Sequence, residues 1–269
     1  MLGSSREALA SCREYLDEQR ADSQFESLPA ELYSVADLLD SESVLRSALA
    51  DSGQLTAVRE NLAKEVFASR VSALAMNVIA LAVVQRWSDA FDLVLALEQL
   101  AEQAVLTIAQ ADGTLDATEE EIFLFGRAVD SSADLQMALT NPSTSSDIKS
   151  AIVKDLVSAR GSKASSTLLE YSISHLHGRR IDAVVQHLGE MAAKQRDRVV
   201  AEVRVAAPLS NEQVERLATV LSRLKGRTVR LNVAVDPSVL GGVHVSIGEE
   251  VIDGTVASKL EQARRAVLG

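Results

Sequence analysis

The chain has 269 residues, with 27 Lys+Arg against 38 Asp+Glu, one cysteine, nine aromatic residues and four prolines. At 47% hydrophobic and 24% charged it is too apolar for a disordered polymer, and at roughly 100–200 residues per domain it is long enough for one large domain or two to three small ones. The net charge of −11 is confined to one part, because residues 1–117 hold 8 Lys+Arg and 19 Asp+Glu while residues 118–269 hold 19 of each. An acidic half that repels phosphate backbones beside a neutral half without a basic stripe argues against nucleic-acid binding.

The lone Cys12 excludes an internal disulfide and a multi-cysteine zinc site. It stands four residues from Ala8 and from Leu16, which makes it an apolar face residue of a helix. Arg6 and Glu7 interrupt the start before an apolar run forms, so no signal peptide is visible. The longest uncharged run, the 15 residues Val71–Gln85, falls short of the ~20 that cross a bilayer and reads as a buried helix. The expectation is a soluble intracellular protein.

Pro29, Pro142, Pro208 and Pro237 fall between periodic segments rather than inside them. Ser4 or Ser5 is placed to cap a first helix reaching Arg20, and Pro29 suits the first turn of the next. Further helices are predicted near 42–50, 54–68, 70–86 and 88–110. The last carries Phe91, Val94, Leu95, Leu100, Ala101, Ala104, Val105 and Ile108 at three- and four-residue spacing. Ala111-Asp112-Gly113-Thr114 is a turn signal, and Thr118 with Glu121 has the spacing of a capping box opening the next helix. Helices are then expected near 133–140, 144–160, 163–177 and 180–198.

These helices repeat. A shift of 90 residues pairs Asp40-Ser41 with Asp130-Ser131, Leu45 with Leu135, Ala48-Leu49 with Ala138-Leu139, Lys64 with Lys154 and Arg70 with Arg160. Val58, Leu62 and Val66 then face Ile148, Ile152 and Leu156. Past residue 86 the offset is expected to grow, so that Arg86 meets Arg179 and Leu115 meets Leu209. On this reading the second copy lacks a counterpart of the first helix.

The last 70 or so residues change period. Val199, Ala201, Val203 and Val205 alternate with Glu202 and Arg204 as in a strand. Pro208 and Ser210 open a helix with Val214, Leu217, Leu221 and Leu224, ended by Gly226. Two more alternating runs centre on Leu231–Val233 and Val243–Ile247, a short fourth spans Glu249–Ile252, and a helix is expected from about Val256 to Leu268. The fold class is mainly α: an acidic six-helix bundle over 1–117, a second repeat-like helical bundle over 118–198, and a small α+β domain over 199–269.

Chemistry is sparse. There is no P-loop, nucleophile elbow, zinc-protease helix or dinucleotide fingerprint, and no catalytic, cofactor-binding or metal-ligating set is assigned. His175 and His177 are two positions apart, point in different directions on a helix and have no third ligand nearby, so they read as solvated helix-end residues. Glu119–Glu121 fit a helix N-terminus through the macrodipole. Lys194, Arg196 and Arg198 read as a solvated helix end. Gly241-Gly242 lacks the following helix N-terminus and paired lysine of a phosphate cradle, and Asp236-Pro237-Ser238 and Asp253-Gly254 are turns.

The stretch Val233–Leu260, with Val-Asp-Pro-Ser-Val-Leu-Gly-Gly-Val-His-Val-Ser-Ile-Gly followed by Val-Ile-Asp-Gly-Thr-Val-Ala-Ser-Lys-Leu, resembles the C-terminal signature of the δ subunits of F-type ATP synthases. The mitochondrial counterpart is the oligomycin-sensitivity-conferring protein. Ala206-Ala207-Pro208-Leu209-Ser210 is similar to the family's strand-to-helix junction, and the likeness extends more weakly to the N-terminal helices. The usual δ subunit has one six-helix domain before its C-terminal unit; the extra helices over about 118–198 resemble the lengthened actinobacterial form.

The resemblance implies a non-catalytic stator subunit of the peripheral stalk, without cofactor, that links the catalytic head to b-type stalk subunits and resists rotor torque. It implies that the first bundle grips the N-terminal segment of an α subunit in a groove lined by Leu9, Cys12, Leu16, Leu74, Val78, Leu81 and Gln85. Helix Val71–Gln85 either keeps part of its circumference for that amphipathic helix or is buried on every face by its own bundle. Asp236, Pro237, Leu240, Gly241, Gly242, Asp253 and Gly254 are then fold-defining turn residues. The expected location is peripheral, on the cytoplasmic side of the cell membrane, with the membrane reached only through the complex. The alternative is an unrelated soluble helical adaptor.

Overall fold

The computed structural model describes residues 1, 3–141, 143–157, 161–196, 200–206, 208–225, 229–236, 242–247 and 250–253. It divides into two units, Met1–Arg196 and Asp197–Gly269. The first is all helix: α1 (Gly3–Glu18), α2 (Leu28–Ser41), α3 (Ser43–Ala50), α4 (Thr56–Phe67), α5 (Ala73–Val84), α6 (Phe91–Ala111), α7 (Leu115–Asp130), α8 (Ala133–Thr140), α9 (Ser146–Val157), α10 (Lys163–Ser174) and α11 (Ile181–Arg196). The fold is therefore mainly α, as the periodicity predicts. Its breaks follow local chemistry. Pro29 sits in the first turn of α2, where its missing N–H is not needed. Gly113 takes φ +72° between α6 and α7, a conformation that costs glycine little.

The 90-residue repeat is built into the helices. Three pairs (α3 with α8, α4 with α9, α5 with α10) start and stop 90 residues apart, and α6 and α11 start 90 apart. The buried positions repeat as well. Arg59, Ala63 and Phe67 of α4 recur as Lys149, Val153 and Val157 of α9. Leu74, Ala75, Val78, Ile79, Ala82 and Val83 of α5 recur as Ala164, Ser165, Leu168, Leu169, Ser172 and Ile173 of α10.

Two expectations about the repeat are corrected. The offset does not grow past residue 86: it stays at 90 into α11, so Arg86 corresponds to Leu176 rather than Arg179. Nor does the second copy lack a first helix. Residues 93–108, which stand 90 beyond α1, lie within α6; α1 packs on α5 and α6, and α6 packs on α10 and α11. One helix thus closes the first set and opens the second. This double duty accounts for the 21-residue length of α6 and its burial on nearly all sides.

Two capping expectations also fail. The helix containing Thr118 starts earlier, at Leu115, and Thr118 is fully buried with its hydroxyl donating to the Thr114 carbonyl (2.9 Å). The turn at Gly113 is tight enough for Leu115 to begin the helix without a side-chain cap. Ser4 and Ser5 lie inside α1 rather than ahead of it. Ser5 Oγ donates to Asp92 Oδ2 (2.6 Å) and accepts from Ser88 N (2.7 Å), fastening α1 to the start of α6.

The second unit holds β1 (Val200–Val205), α12 (Asn211–Lys225), β2 (Arg230–Val235), β3 (Val243–Ile247) and β4 (Glu250–Asp253) in a four-stranded sheet of order β2-β1-β3-β4. β1 and β2 are parallel, with Val203 opposite Val233, and α12 supplies the crossover that parallel pairing requires. β3 lies antiparallel to β1, with Val245 opposite Val203, and β4 antiparallel to β3. Val203, Val205, Leu221, Val229 and Val245 form its core, while Arg204 faces out, in keeping with the period-two pattern. The helix expected from Val256 to Leu268 and the stop at Gly226 lie outside the described residues.

Candidate functional site

The residues assigned to a docking groove are brought together where α1 and α5 pack side by side. Leu9, Cys12 and Leu16 of α1 and Leu74 and Val78 of α5 are buried, from 6% exposure at Leu9 to none at Val78. Leu81 and Gln85 are half-buried. Burial pushes the Cys12 thiol up to about 12, so at neutral pH it behaves as a small apolar group.

Both helices are held by polar contacts that sequence reasoning missed. Arg13 Nη2 donates to Gln99 Oε1 (2.9 Å), and Gln103 Nε2 donates to Asp17 Oδ1 (2.9 Å), so α1 is laced to α6 along its length. Ser72 caps α5 by accepting from Ala75 N (3.1 Å), and Glu31 of α2 accepts from both the amide (3.0 Å) and the hydroxyl (2.6 Å) of Ser72. At the other end of α5, the buried Arg59 donates to the carbonyls of Val83, Val84 and Gln85, and Trp87 Nε1 donates to the Ala82 carbonyl (2.9 Å). The orphan carbonyls of this helix end are thereby satisfied internally.

A second polar cluster joins the two helical sets. Glu98 and Glu102 of α6 are each 3% exposed. His177 Nε2 lies 2.7 Å from Glu98 Oε1, and His187 Nε2 lies 3.0 Å from Glu102 Oε2. Tyr33 of α2 stacks on Tyr171 of α10 with centroids 3.7 Å apart; Tyr171 in turn stacks on His175 and donates to Asp37 Oδ1 (2.7 Å). His175 Nε2 stands 3.2 Å from the same Asp37 oxygen. Burial, with the Glu102 and Glu98 charges behind it, holds the Tyr33 phenol well above its usual range. Burial and then the Asp37 bond do the same for Tyr171.

The expectation of solvated histidines is thus overturned. The chain leaves the helix at His175, where His177 takes φ +49°, and the turn swings both rings toward α2 and α6. A helical projection misplaces them because they are not on a helix. Lys194 is exposed; the Arg196 side chain and Arg198 lie outside the described residues.

In the second unit Asp236 N donates to the Val205 carbonyl (2.9 Å), extending the β1–β2 pairing beyond the strand end. Gly242 takes φ +85° just before β3, and Asp253 stands opposite His244 at the end of β4. Pro237, Leu240, Gly241 and Gly254 lie outside the described residues. Among the described residues no group of three His, Cys, Asp or Glu side chains is placed to hold a metal ion, and no helix is long and apolar enough to cross a membrane.

The model of one protein family, the ATP synthase delta (OSCP) subunit, matches residues 102–267. The ATP synthase subunit delta of Streptomyces coelicolor is 41% identical over 267 residues, covering 98% of this chain and 97% of that one. That of Frankia casuarinae is 38% identical over 276 residues, covering all of both. The subunit delta of Nocardia farcinica is 37% identical over 267 residues, covering 98% of this chain and 99% of its own.

Proposed function

This chain belongs to the ATP synthase delta (OSCP) subunit family, and we propose a mechanism for its work as a non-catalytic stator subunit. It ties the catalytic head to the peripheral stalk and resists rotor torque. The bundle over 1–117 takes up the N-terminal helix of an α subunit against α1 and α5. Leu9, Cys12, Leu16, Leu74 and Val78 form the rigid floor; Leu81 and Gln85 form the contact rim. The unit over 199–269 meets b-type stalk helices, and the set over 118–198 stiffens the span between them. The subunit lies on the cytoplasmic side of the membrane and reaches it only through the complex.

The observation that supports α1 and α5 is the repeat itself. The face formed by α6 and α10 stands 90 residues on, where Tyr171 and His175 replace Leu81 and Gln85. There α2 is already seated, with Tyr33 on Tyr171 and Asp37 on His175. That a helix seats on the α6/α10 face supports the equivalent face of α1 and α5 as the place for a helix from another chain.

A second reading follows from the matched span. Residues 102–267 cover the second helical set and the C-terminal unit, which supports reading the second set as the usual helical domain of the family and the first bundle as the addition. Its groove would be the one α2 covers. Binding of a synthetic α-subunit N-terminal peptide to the full chain separates the two. We expect saturable binding, weakened about tenfold or more by Leu81→Asp and unchanged by Tyr171→Ala. Loss confined to Tyr171→Ala would move the site to the second set, and no saturable binding would remove the groove assignment altogether.

A further inference from the structure

The 90-residue repeat also relates α2 to α7. In the first set, α2 presents Tyr33, Asp37 and Asp40 at i, i+4 and i+7. All three meet the second set: Tyr33 stacks on Tyr171, Asp37 holds Tyr171 and His175, and Asp40 Oδ2 stands 4.0 Å from His177 Nδ1. His177 also meets the Phe91 ring edge-on at 5.0 Å, and the Arg46 guanidinium lies over the same ring, 5.3 Å from its centroid. Ninety residues on, α7 presents Phe123, Arg127 and Asp130 in the same i, i+4, i+7 stripe, and the described residues after α11 form a sheet unit rather than a third helical set.

The vacancy is visible in two places. Tyr33 is 6% exposed, whereas Phe123 is 60% exposed, with Leu124 beside it at 54%. The slot that His177 fills between Asp40, Arg46 and Phe91 has its counterpart in an open cleft of about 470 Å³. Asp130, Gln136 and Ile181, at the matching positions, line that cleft with Arg180 and Met137. Two adjacent exposed large apolar side chains next to a polar cleft have the character of an interaction surface. The charge has changed at one point of the stripe: Arg127 stands where Asp37 faces His175, and it has no ion-pair partner among the described residues.

We propose that the Phe123–Arg127–Asp130 stripe and the adjoining cleft dock the C-terminal end of an amphipathic helix from another chain. In the places of Tyr171, His175 and His177 that helix presents an aromatic or large aliphatic residue, a carboxylate four positions on, and a basic side chain two positions beyond. The carboxylate answers Arg127, and the basic group enters the cleft beside Asp130. The surface is separate from α1 and α5, and its assignment does not depend on which helix binds there.

The probe is a helix-stapled, fluorescent peptide of this chain's own residues 163–180 carrying His175→Glu, titrated against the full-length chain and followed by anisotropy. The expected result is saturable binding that Phe123→Ala weakens about tenfold or more. Arg127→Glu should weaken it similarly, and a His175→Lys peptide should restore binding to the Arg127→Glu chain. Both altered side chains are exposed, so unchanged thermal unfolding of the variants is the internal control for folding. Absence of saturable binding overturns the proposal. So does binding indifferent to Phe123→Ala and Arg127→Glu, which would mean that the peptide displaces α10 from its own place, and so does dimerisation of the chain through this face.

Discussion

Arg59 sets where α5 ends. It is 4% exposed, and its guanidinium donates to the last carbonyls of the helix from a position on α4. Each bond joins a cation to the negative end of a helix dipole in a poorly solvated place, where such bonds are strong. Arg59→Met should therefore lower the unfolding free energy by about 3 kcal/mol, within the usual range for stranding buried carbonyls. Denaturant titration with an unchanged m-value is the check. Arg59→Ala should cost more, since the stem of the side chain also packs. Leu81 and Gln85 hang on the turn that Arg59 secures, so the same substitution should loosen the proposed groove before the bundle unfolds. A loss near zero would show that the carbonyls find water instead.

At the scale of elements, the two N-terminal caps of α5 and α10 are one device used twice. Glu31 accepts from Ser72, and Glu121, 90 residues on, accepts from the amide (2.9 Å) and hydroxyl (2.8 Å) of Ser162, which itself caps α10 through Ser165 N (3.1 Å). Each carboxylate also sits at the positive end of a helix dipole. Glu31→Gln and Glu121→Gln should each cost about 1 kcal/mol, and the double variant about 2, because the two carboxylates share no hydrogen-bond partner. Hydrogen exchange should quicken first in the opening turns of α5 and α10 respectively.

Nothing in the local spacing of Glu121 announces this role; next to Thr118 it imitates a capping box for its own helix. Comparison with Glu31 and Ser72 at the 90-residue offset was the available signal. Helix existence and the strand alternation of the second unit were legible because both follow from apolar periodicity, which burial enforces. The helix shared by both sets was not. Its second face carries Glu98 and Glu102, charged residues whose burial depends on His177, from the turn after α10, and His187 of α11. The burial of Leu9, Cys12, Leu16, Leu74 and Val78 was legible as apolar stripes, whereas the half-exposure of Leu81 and Gln85 is set by tertiary packing.

At the scale of the whole molecule the charge has a position. The −11 lies in residues 1–117, the part that carries α1 and α5, while the remainder is balanced. Stability of the bundle gains nothing from this, since like charges repel across its surface. A basic partner segment would turn the repulsion into steering, because an acidic face raises the encounter rate with a cationic helix and fixes its orientation. On that account the affinity for the α-subunit peptide should fall as salt rises from about 50 to about 300 mM, over which the screening length shrinks from about 14 Å to about 6 Å. Most of the loss should appear in the association rate, since the apolar floor and the Leu81 rim that govern dissociation are insensitive to screening. Stopped-flow mixing across that range measures both rates. A flat association rate would reduce the charge to a device for solubility, and a salt effect confined to dissociation would place an ion pair inside the groove rather than a field around it.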